Sequence, residues 1–388
     1  MDYDVVVVGA GPGGSMAAKC LADKGIDVLL VEKRPEIGTP VRCGEGTGIP
    51  GLKEHGVEIK KEFVASVLRG FNLHAPDGTK VEVPTKEPNS YVLERRIFDK
   101  YLAITAAKAG AEVRVRTYAT GIVKEDGKIK GVKLKYFDEE YEVDCNAVVG
   151  ADGIEGKVGR WAGINTRTRF GDMTSNVQYE MVDIELEETD KMEFYIGDKF
   201  APMGYAWIFP KGEDVANVGL GARSPDKTAL EFLNEFVESM EGLRDGGIIE
   251  VNVGGVPVQG PIEKSIADNV VLVGDSARHI DPLSGGGIYN AMHCGIIAAE
   301  VLSEAVKEND FSEKFLMKYE ERWRKEVGEA LMRSLNIKIG FEKMSDEDLN
   351  AVAKVMSDLK LENFDIKDMG KSLMEMPPEV IAFIQRLI

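Results

Sequence analysis

Hydrophobic residues near the N-terminus come in two patterns. Residues 4–8 are an unbroken β-branched run after Asp4, as in a parallel strand buried on both faces. Gly9-Ala10-Gly11-Pro12-Gly13-Gly14 then makes a turn, and residues 15–24 are Ala-rich and helix-prone up to Gly25, where a helix should stop. Residues 27–31 repeat the buried-strand pattern and end at Glu32, so the first 34 residues predict a βαβ unit. Further on, 71–74 and 80–83 form a hairpin around Pro76-Asp77-Gly78. Residues 94–109 form a helix with Ile97, Leu102 and Ala106 on its apolar side, closed by Gly110. Strands are predicted at 112–115, 119–124, 129–136 and 140–143, with turns at Asp126-Gly127 and Asp138-Glu139. A separate buried strand at 147–150 leads into Ala151-Asp152-Gly153.

The pattern changes after this point. Residues 176–184, 191–196, 205–209 and 215–220 alternate or run apolar, which predicts an antiparallel sheet, followed by an amphipathic helix at 229–240. Residues 270–273 return to the buried parallel type and end at Gly274-Asp275. A glycine-rich loop, 281–287, precedes a helix at 288–307. From 312 to 388 the chain is mainly helical and highly charged, with breaks at Gly340, Gly370 and Pro377-Pro378. Residues 35–60 are rich in Gly and Pro and are expected to be irregular, including Arg42-Cys43-Gly44-Glu45-Gly46.

Composition narrows the function. The chain has 388 residues, 44% hydrophobic and 29% charged, which is ordinary for a folded globular protein. Its 66 acidic and 48 basic residues give a net charge of −18, so a general nucleic-acid footprint is not expected. An anionic membrane surface would repel it unless a local basic or apolar patch prevails. Cys20, Cys43, Cys145 and Cys294 form no CxxC pair, and no metal site is expected. There is no basic region before the first apolar run and no apolar run long enough to span a bilayer. The expected location is the cytoplasm, with at most peripheral contact at the inner face of the cell membrane.

The sequence Gly9-x-Gly11-x-x-Gly14 lies between a strand and a helix, with Glu32 after the next strand, and each part has a physical role. Gly9 permits the tight turn, Gly11 lets backbone approach a pyrophosphate, and Gly14 lets helix and strand pack closely. The helix N-terminus offers unpaired N–H groups to the anion. Glu32 can accept both ribose hydroxyls and repels a 2′-phosphate. This fingerprint alone leaves FAD and NAD open.

Together with the fingerprint, Ala151-Asp152-Gly153 and Gly274-Asp275 resemble the other two motifs of the aromatic-hydroxylase-like class of FAD enzymes. Within that class the chain is similar to the geranylgeranyl reductase family of archaea. The residues carrying this are 32–38 (Glu-Lys-Arg-Pro-Glu-Ile-Gly), Arg42-Cys43-Gly44-Glu45-Gly46, Leu93-Glu94-Arg95, and Pro202-x-Gly204-Tyr205-x-Trp207-x-Phe209-Pro210. The resemblance runs from residue 1 to about 340. It implies an α/β (α+β) architecture: a Rossmann-like FAD-binding domain at 1–70, 95–165 and 255–310, an antiparallel-sheet substrate domain at 71–94 and 166–254, and a C-terminal helical segment at 311–388. It also implies that Ala10, Glu32, Arg42, Cys43, Gly44, Gly46, Arg95, Ala119, Asp275, Gly287 and Ile288 line FAD, with the Pro282-x-x-x-Gly286-Gly287 loop along its ring.

The implied activity is hydrogenation of C=C bonds in the geranylgeranyl chains of a prenylated glycerophospholipid. An isolated alkene is not polarised, so a hydride must be accompanied by a proton in a dry pocket. Cys43 is the first candidate donor, since a thiol of ordinary pKa (about 8.5) is protonated at neutral pH; it would equally pack as a small residue against the ring. His279 and Glu45 are the next candidates, and Glu45 could instead bond Arg42. Tyr205, Trp207 and Phe209 alternate, so they share one strand face. They would either wall a prenyl tunnel or form an ordinary aromatic core. Arg322, Arg324, Lys325, Arg333 and Lys338 would either meet a lipid phosphate or be solvated, and Met317, Met332, Met344 and Met356 offer an adaptable apolar surface. No second strand–GxGxxG–helix unit is present, which suits an external electron donor such as ferredoxin better than NAD(P)H. The alternatives are an FAD monooxygenase of the aromatic-hydroxylase type, a redox-neutral isoprenoid cyclase or isomerase, and a flavin-bound lipid carrier.

Overall fold

The computed structural model describes residues 2–125 and 128–357 and divides the chain into two compact units. The first comprises residues 1–40, 95–169 and 259–332, and the second 41–94, 170–258 and 333–388.

In the first unit the strand Tyr3–Val8 pairs in parallel with Val28–Val31 on one side and with the end of Glu139–Gly150 on the other. The strand Val270–Leu272 adds in parallel beyond Gly150. Register aligns Val8 with both Val31 and Gly150, and Gly150 with Leu272. Four strands therefore end together, and Gly9, Glu32, Ala151-Asp152 and Gly274-Asp275 all follow from one edge of the sheet. Ligands in open α/β sheets bind beyond such carboxyl ends.

The residues of Tyr3–Val8 alternate between two cores. Val5 and Val7 pack with the helices Pro12–Ala22 and Ile288–Glu308, while Val6 and Val8 pack with Ala119, Ile129, Val132 and Leu134. The two helices touch closely at glycine: a Cβ on Gly295 would lie 2.4 Å from the Gly13 carbonyl oxygen.

The second unit holds a seven-stranded sheet. Its order runs Gly247–Pro257, Met173–Val182, Val215–Ala222, Tyr205–Pro210, Met192–Ile196, Gly70–His74, Lys80–Pro84. All pairs are antiparallel except Met192–Ile196 with Gly70–His74. The helix Ala229–Ser239, opened by a Thr228–Glu231 capping box, covers one face. The other face carries the aromatic residues and packs with the helix Asp346–Ser357.

Several expectations need correction. The strands at 140–143 and 147–150 are one strand, Glu139–Gly150, whose first half pairs with a hairpin and whose second half joins the parallel sheet. The first helix starts at Pro12 rather than residue 15, because proline's missing N–H costs nothing at a first turn. The break expected at Gly340 falls one residue later, where the helix Glu329–Phe341 ends ahead of the helix Asp346–Ser357. The stretch 35–60 is not wholly irregular: it includes the strand Gly46–Gly48 and the helix Ile49–Glu54. No strand was expected at Gly247–Pro257, although Ile249, Val251 and Val253 alternate there; they face outward at a sheet edge. The turn at Asp126-Gly127 and the breaks at Gly370 and Pro377-Pro378 lie outside the described residues.

The unit boundaries also differ from the expected domains. Residues 41–70 group with the second unit, where the strand Val64–Leu68 pairs with Ser90–Leu93. Residues 311–332 group with the first: Tyr319 donates to the Leu272 carbonyl at 2.6 Å, and Glu320 accepts from the Ser265 backbone at 2.9 Å.

Candidate functional site

The nucleotide cradle in the first unit is formed mainly by backbone. Gly9 has φ +106°, and a Cβ there would lie 2.2 Å from the Ala151 carbonyl oxygen, so only glycine fits. At Gly14 a Cβ would lie 2.0 Å from the Gly9 carbonyl oxygen. Gly11 is different: nothing stands within 4 Å of its missing Cβ. Its surroundings are open, above the N-terminus of a helix that carries no side-chain cap. Glu32 is buried and accepts the Ala10 N–H (3.1 Å) on one oxygen and the Arg34 N–H (3.0 Å) on the other. Each oxygen keeps a further lone pair for a hydrogen-bond donor. Asp152 accepts the Val158 N–H at 3.0 Å, its other oxygen is buried without a partner among the described residues, and burial pushes its carboxyl above the usual range.

Arg95 opens the helix Arg95–Ala109 and forms a two-pronged pair with Asp99, at 2.7 and 2.8 Å. Burial raises the Asp275 carboxyl, and the Arg95 charge partly opposes this. Asp275 Oδ1 lies 3.6 Å from where a Cβ would stand on Gly287, the residue before the helix Ile288–Glu308. The intervening loop is held by a residue the sequence reading passed over. Asp281 accepts the N–H groups of Leu283 (3.0 Å) and Ser284 (2.8 Å) and the Ser284 hydroxyl, and its own N–H reaches the Gly286 carbonyl. An Asp directly before Pro282 was the available signal. Ala10, Ala119 and Ile288 are buried, and Gly286 is exposed.

His279 is fully buried. Its Nδ1 accepts the Gly274 N–H at 3.2 Å, its Nε2 has no partner among the described residues, and its ring lies 4.4 Å from that of Trp323. Burial, helped by the Arg324 charge, pushes its pKa down to about 3. A neutral imidazole held this way is a poor acid, so His279 is withdrawn as a proton donor.

In the second unit Arg42 is exposed and Cys43 half-buried. Glu45 has φ +73°, and its N–H reaches back to the Cys43 Sγ at 3.2 Å. Two amides that the sequence reading missed tie this loop to the sheet. Gln178 donates to the Cys43 carbonyl at 3.2 Å and accepts the Trp207 indole N–H at 3.0 Å. Asn217 donates to the Gly44 carbonyl at 3.2 Å and to Glu45 at 2.8 Å. Glu45 thus bonds Asn217 and also Lys211 (3.3 Å). The Lys211 side chain is only 3% exposed, reaches Glu94 (2.8 Å) and Glu180 (3.0 Å) as well, and is held strongly protonated by these carboxylates against the cost of its burial. None of these partners is visible in a local motif.

Tyr205, Trp207 and Phe209 do share one face, while Ala206 and Ile208 pack into the opposite core. Phe194 sits edge-on to Phe209 and Tyr205 at 5.3 and 5.6 Å between ring centres. Gly44 and Gly46 leave room for these side chains: their Cβ positions would lie 2.8 Å from Phe209 and 2.9 Å from Met192. Met344 and Met356 join this apolar cluster, Met317 packs in the first unit's core, and Met332 is exposed. Of the tail cations, Arg322 pairs with Glu300 and Glu326, Arg324 with Glu320, and Lys338 with Glu342. Among the described residues no group of His, Cys, Asp and Glu could hold a metal ion, and no helix is long and apolar enough to cross a membrane.

The FAD binding domain family matches residues 2–334. Open space at Gly11, the free lone pairs of Glu32 and the bare helix N-termini fit that cofactor, and the protein is an FAD-dependent oxidoreductase. The digeranylgeranylglycerophospholipid reductase of Methanocaldococcus jannaschii is 46% identical over 389 residues, covering 100% of this chain and 98% of that protein. A geranylgeranyl bacteriochlorophyll reductase-like protein from Thermoplasma acidophilum superposes with a TM-score of 0.93 at 38% identity, covering 100% of this chain and 99% of the other. A flavin-dependent brominase shares the fold, with a TM-score of 0.72 at 18% identity over 97% of this chain and 98% of its own. The chain belongs to the digeranylgeranylglycerophospholipid reductase family.

Proposed function

We propose that this protein hydrogenates the C=C bonds of the geranylgeranyl chains of a digeranylgeranylglycerophospholipid, and that Cys43 delivers the proton. Reduced FAD supplies the hydride. Gly9, Gly11 and Gly14 admit the pyrophosphate, Glu32 takes the ribose, and the loop braced by Asp281 lies along the ring. The residues offered as lining FAD are Ala10, Arg42, Cys43, Gly44, Gly46, Arg95, Ala119, Asp275, Pro282, Gly286, Gly287 and Ile288.

Tyr205, Trp207 and Phe209 exclude water and orient the prenyl chain. The thiol proton leaves from Cys43 Sγ to an alkene carbon, and the Glu45 N–H directed at Sγ steadies the thiolate left behind. The observation carrying this reading is Gln178, which bonds the aromatic strip at Trp207 to the backbone of Cys43. Electrons come from an external donor, for which ferredoxin is the choice, and the enzyme works in the cytoplasm with peripheral contact to the membrane.

The test is anaerobic. The flavoprotein is reduced with dithionite, given digeranylgeranylglycerophospholipid, and the lipid is weighed by mass spectrometry. Mass gains in steps of two hydrogens with flavin reoxidation are expected. Cys43→Ser should retain FAD and slow these steps by about a hundredfold or more, the usual scale for loss of a general acid. An unchanged lipid mass would refute the reductase activity, and full activity in Cys43→Ser would leave that residue a packing role only.

A further inference from the structure

The strand pair bearing the aromatic strip has two chemically different ends. At one end Phe209 and Trp207 crowd Gly44, next to Cys43. At the other, Tyr205 pairs with Gly221, and Arg223 follows two residues later. Arg223 is the first residue beyond that strand, Val215–Ala222, and so sits at its Tyr205 end. A rise of about 3.3 Å per residue sets Tyr205 and Phe209 roughly 13 Å apart, a distance one prenyl chain can span.

Two cations meet at the Tyr205 end. Arg223 is anchored through its own N–H to the Pro202 carbonyl (2.9 Å) and through Nη1 to the Gly171 carbonyl (2.9 Å). Its Nη2 pairs with Glu342 Oε1, and Lys338 Nζ lies 2.9 Å from the same oxygen. The Arg223 and Lys338 side chains are only 14% and 12% exposed. Arg223 Nε is buried with no hydrogen-bond partner among the described residues, so this guanidinium keeps one donor that neither Gly171 nor Glu342 takes. Burial, together with the Arg223 charge and against that of Asp172, brings Lys338 down to about 8 even beside Glu342. Three exposed apolar residues lie beside these groups in the chain. Phe170 (99% exposed) precedes Gly171, Met203 follows Pro202, and Ile339 follows Lys338.

We propose that Arg223 and Lys338 bind the phosphate of the substrate's glycerophosphate headgroup, so that the prenyl chain runs from Tyr205 past Trp207 toward Cys43. An Arg fork beside a Lys point charge suits a phosphate, which offers both cations more acceptor oxygens than the Glu342 oxygen they share, with Asp172 acting on both through its charge. Phe170, Met203 and Ile339 give the glycerol and the start of the chain an apolar rim at the lipid surface. The proposal rests on the reductase reading above and adds the direction in which the lipid lies.

The test compares two detergent-solubilised substrates on FAD-loaded protein: digeranylgeranylglycerophosphate and the uncharged digeranylgeranylglycerol. Wild type should prefer the phosphorylated lipid in kcat/KM, and inorganic phosphate should compete with that lipid only. Arg223→Gln with Lys338→Met should cut the preference at least tenfold, expressed as a higher KM for the phosphorylated lipid. Lys338→Met alone should cut it severalfold, and the flavin spectrum reports folding in each variant. Equal wild-type rates on both lipids would overturn the headgroup site while leaving the reductase intact; reduction of neither would overturn the reductase reading itself. A third arm distinguishes headgroup from bulk membrane. If the variants lose only cosedimentation with vesicles of a saturated anionic phospholipid, and keep the preference in detergent, the headgroup assignment is wrong.

Discussion

Glu32 shows how a single side chain does two jobs at the cradle. Its oxygens accept the N–H groups of Ala10 and Arg34, which fixes the turn, and in the reading proposed above their remaining lone pairs take the ribose hydroxyls. Glu32→Ala removes both, and the two N–H groups must then find water. We expect FAD content after dialysis to fall severalfold, measured as the flavin-to-protein absorbance ratio. Retention equal to wild type would remove the ribose role. The glycines nearby are constrained differently. Gly9 and Gly14 have no room for a side chain, whereas Gly11 has room and leaves it free.

At the scale of the element, Tyr205–Pro210 separates two environments by alternation: Ala206 and Ile208 enter the core under the helix Ala229–Ser239, and Tyr205, Trp207 and Phe209 form the aromatic strip. The neighbouring strand Met173–Val182 supplies Gln178 as a bridge between that strip and the Cys43 loop. Gln178→Leu keeps the volume but leaves the Trp207 N–H and the Cys43 carbonyl unpaired. Each such loss costs roughly 1–3 kcal/mol. The expected outcome is a lower thermal midpoint and slower alkene reduction with FAD retained. If Gln178→Leu matched wild type in turnover, the bridge would not position Cys43.

For the whole molecule, acid should act in two opposing ways. A chain with net charge −18 repels itself less as its carboxylates take up protons. His279 acts in the other direction. Its folded pKa of about 3 lies below the ordinary 6.5, so the unfolded chain binds a proton that the fold refuses. The stability this gives is fully present above pH 6.5 and erodes as pH falls toward 3. Most carboxylates titrate below about pH 5, so the window from 6.5 to 5 isolates the histidine. Denaturant unfolding of wild type and His279→Gln should show their stability difference shrinking across that window. A constant difference would mean that His279 is already charged in the fold.

The sequence by itself determined the local parts. Unbroken Val runs made strands buried on both faces, the glycine spacing made the turn above a helix N-terminus, and a period of two put three aromatic residues on one face. The resemblance in those motifs was sufficient to name the cofactor and the family. What it left undecided depended on contacts between residues far apart in the chain. Glu139–Gly150 is one strand because its halves pair with different neighbours. Gly247–Pro257 is a strand because it pairs with Met173–Val182, although its apolar residues face outward. Cys43 meets Gln178 across 135 positions, and Glu45 meets Lys211 across 166. His279 offered no sign of its burial in the residues beside it. Periodicity reports what a segment presents to its surroundings, and only the tertiary structure decides what those surroundings are.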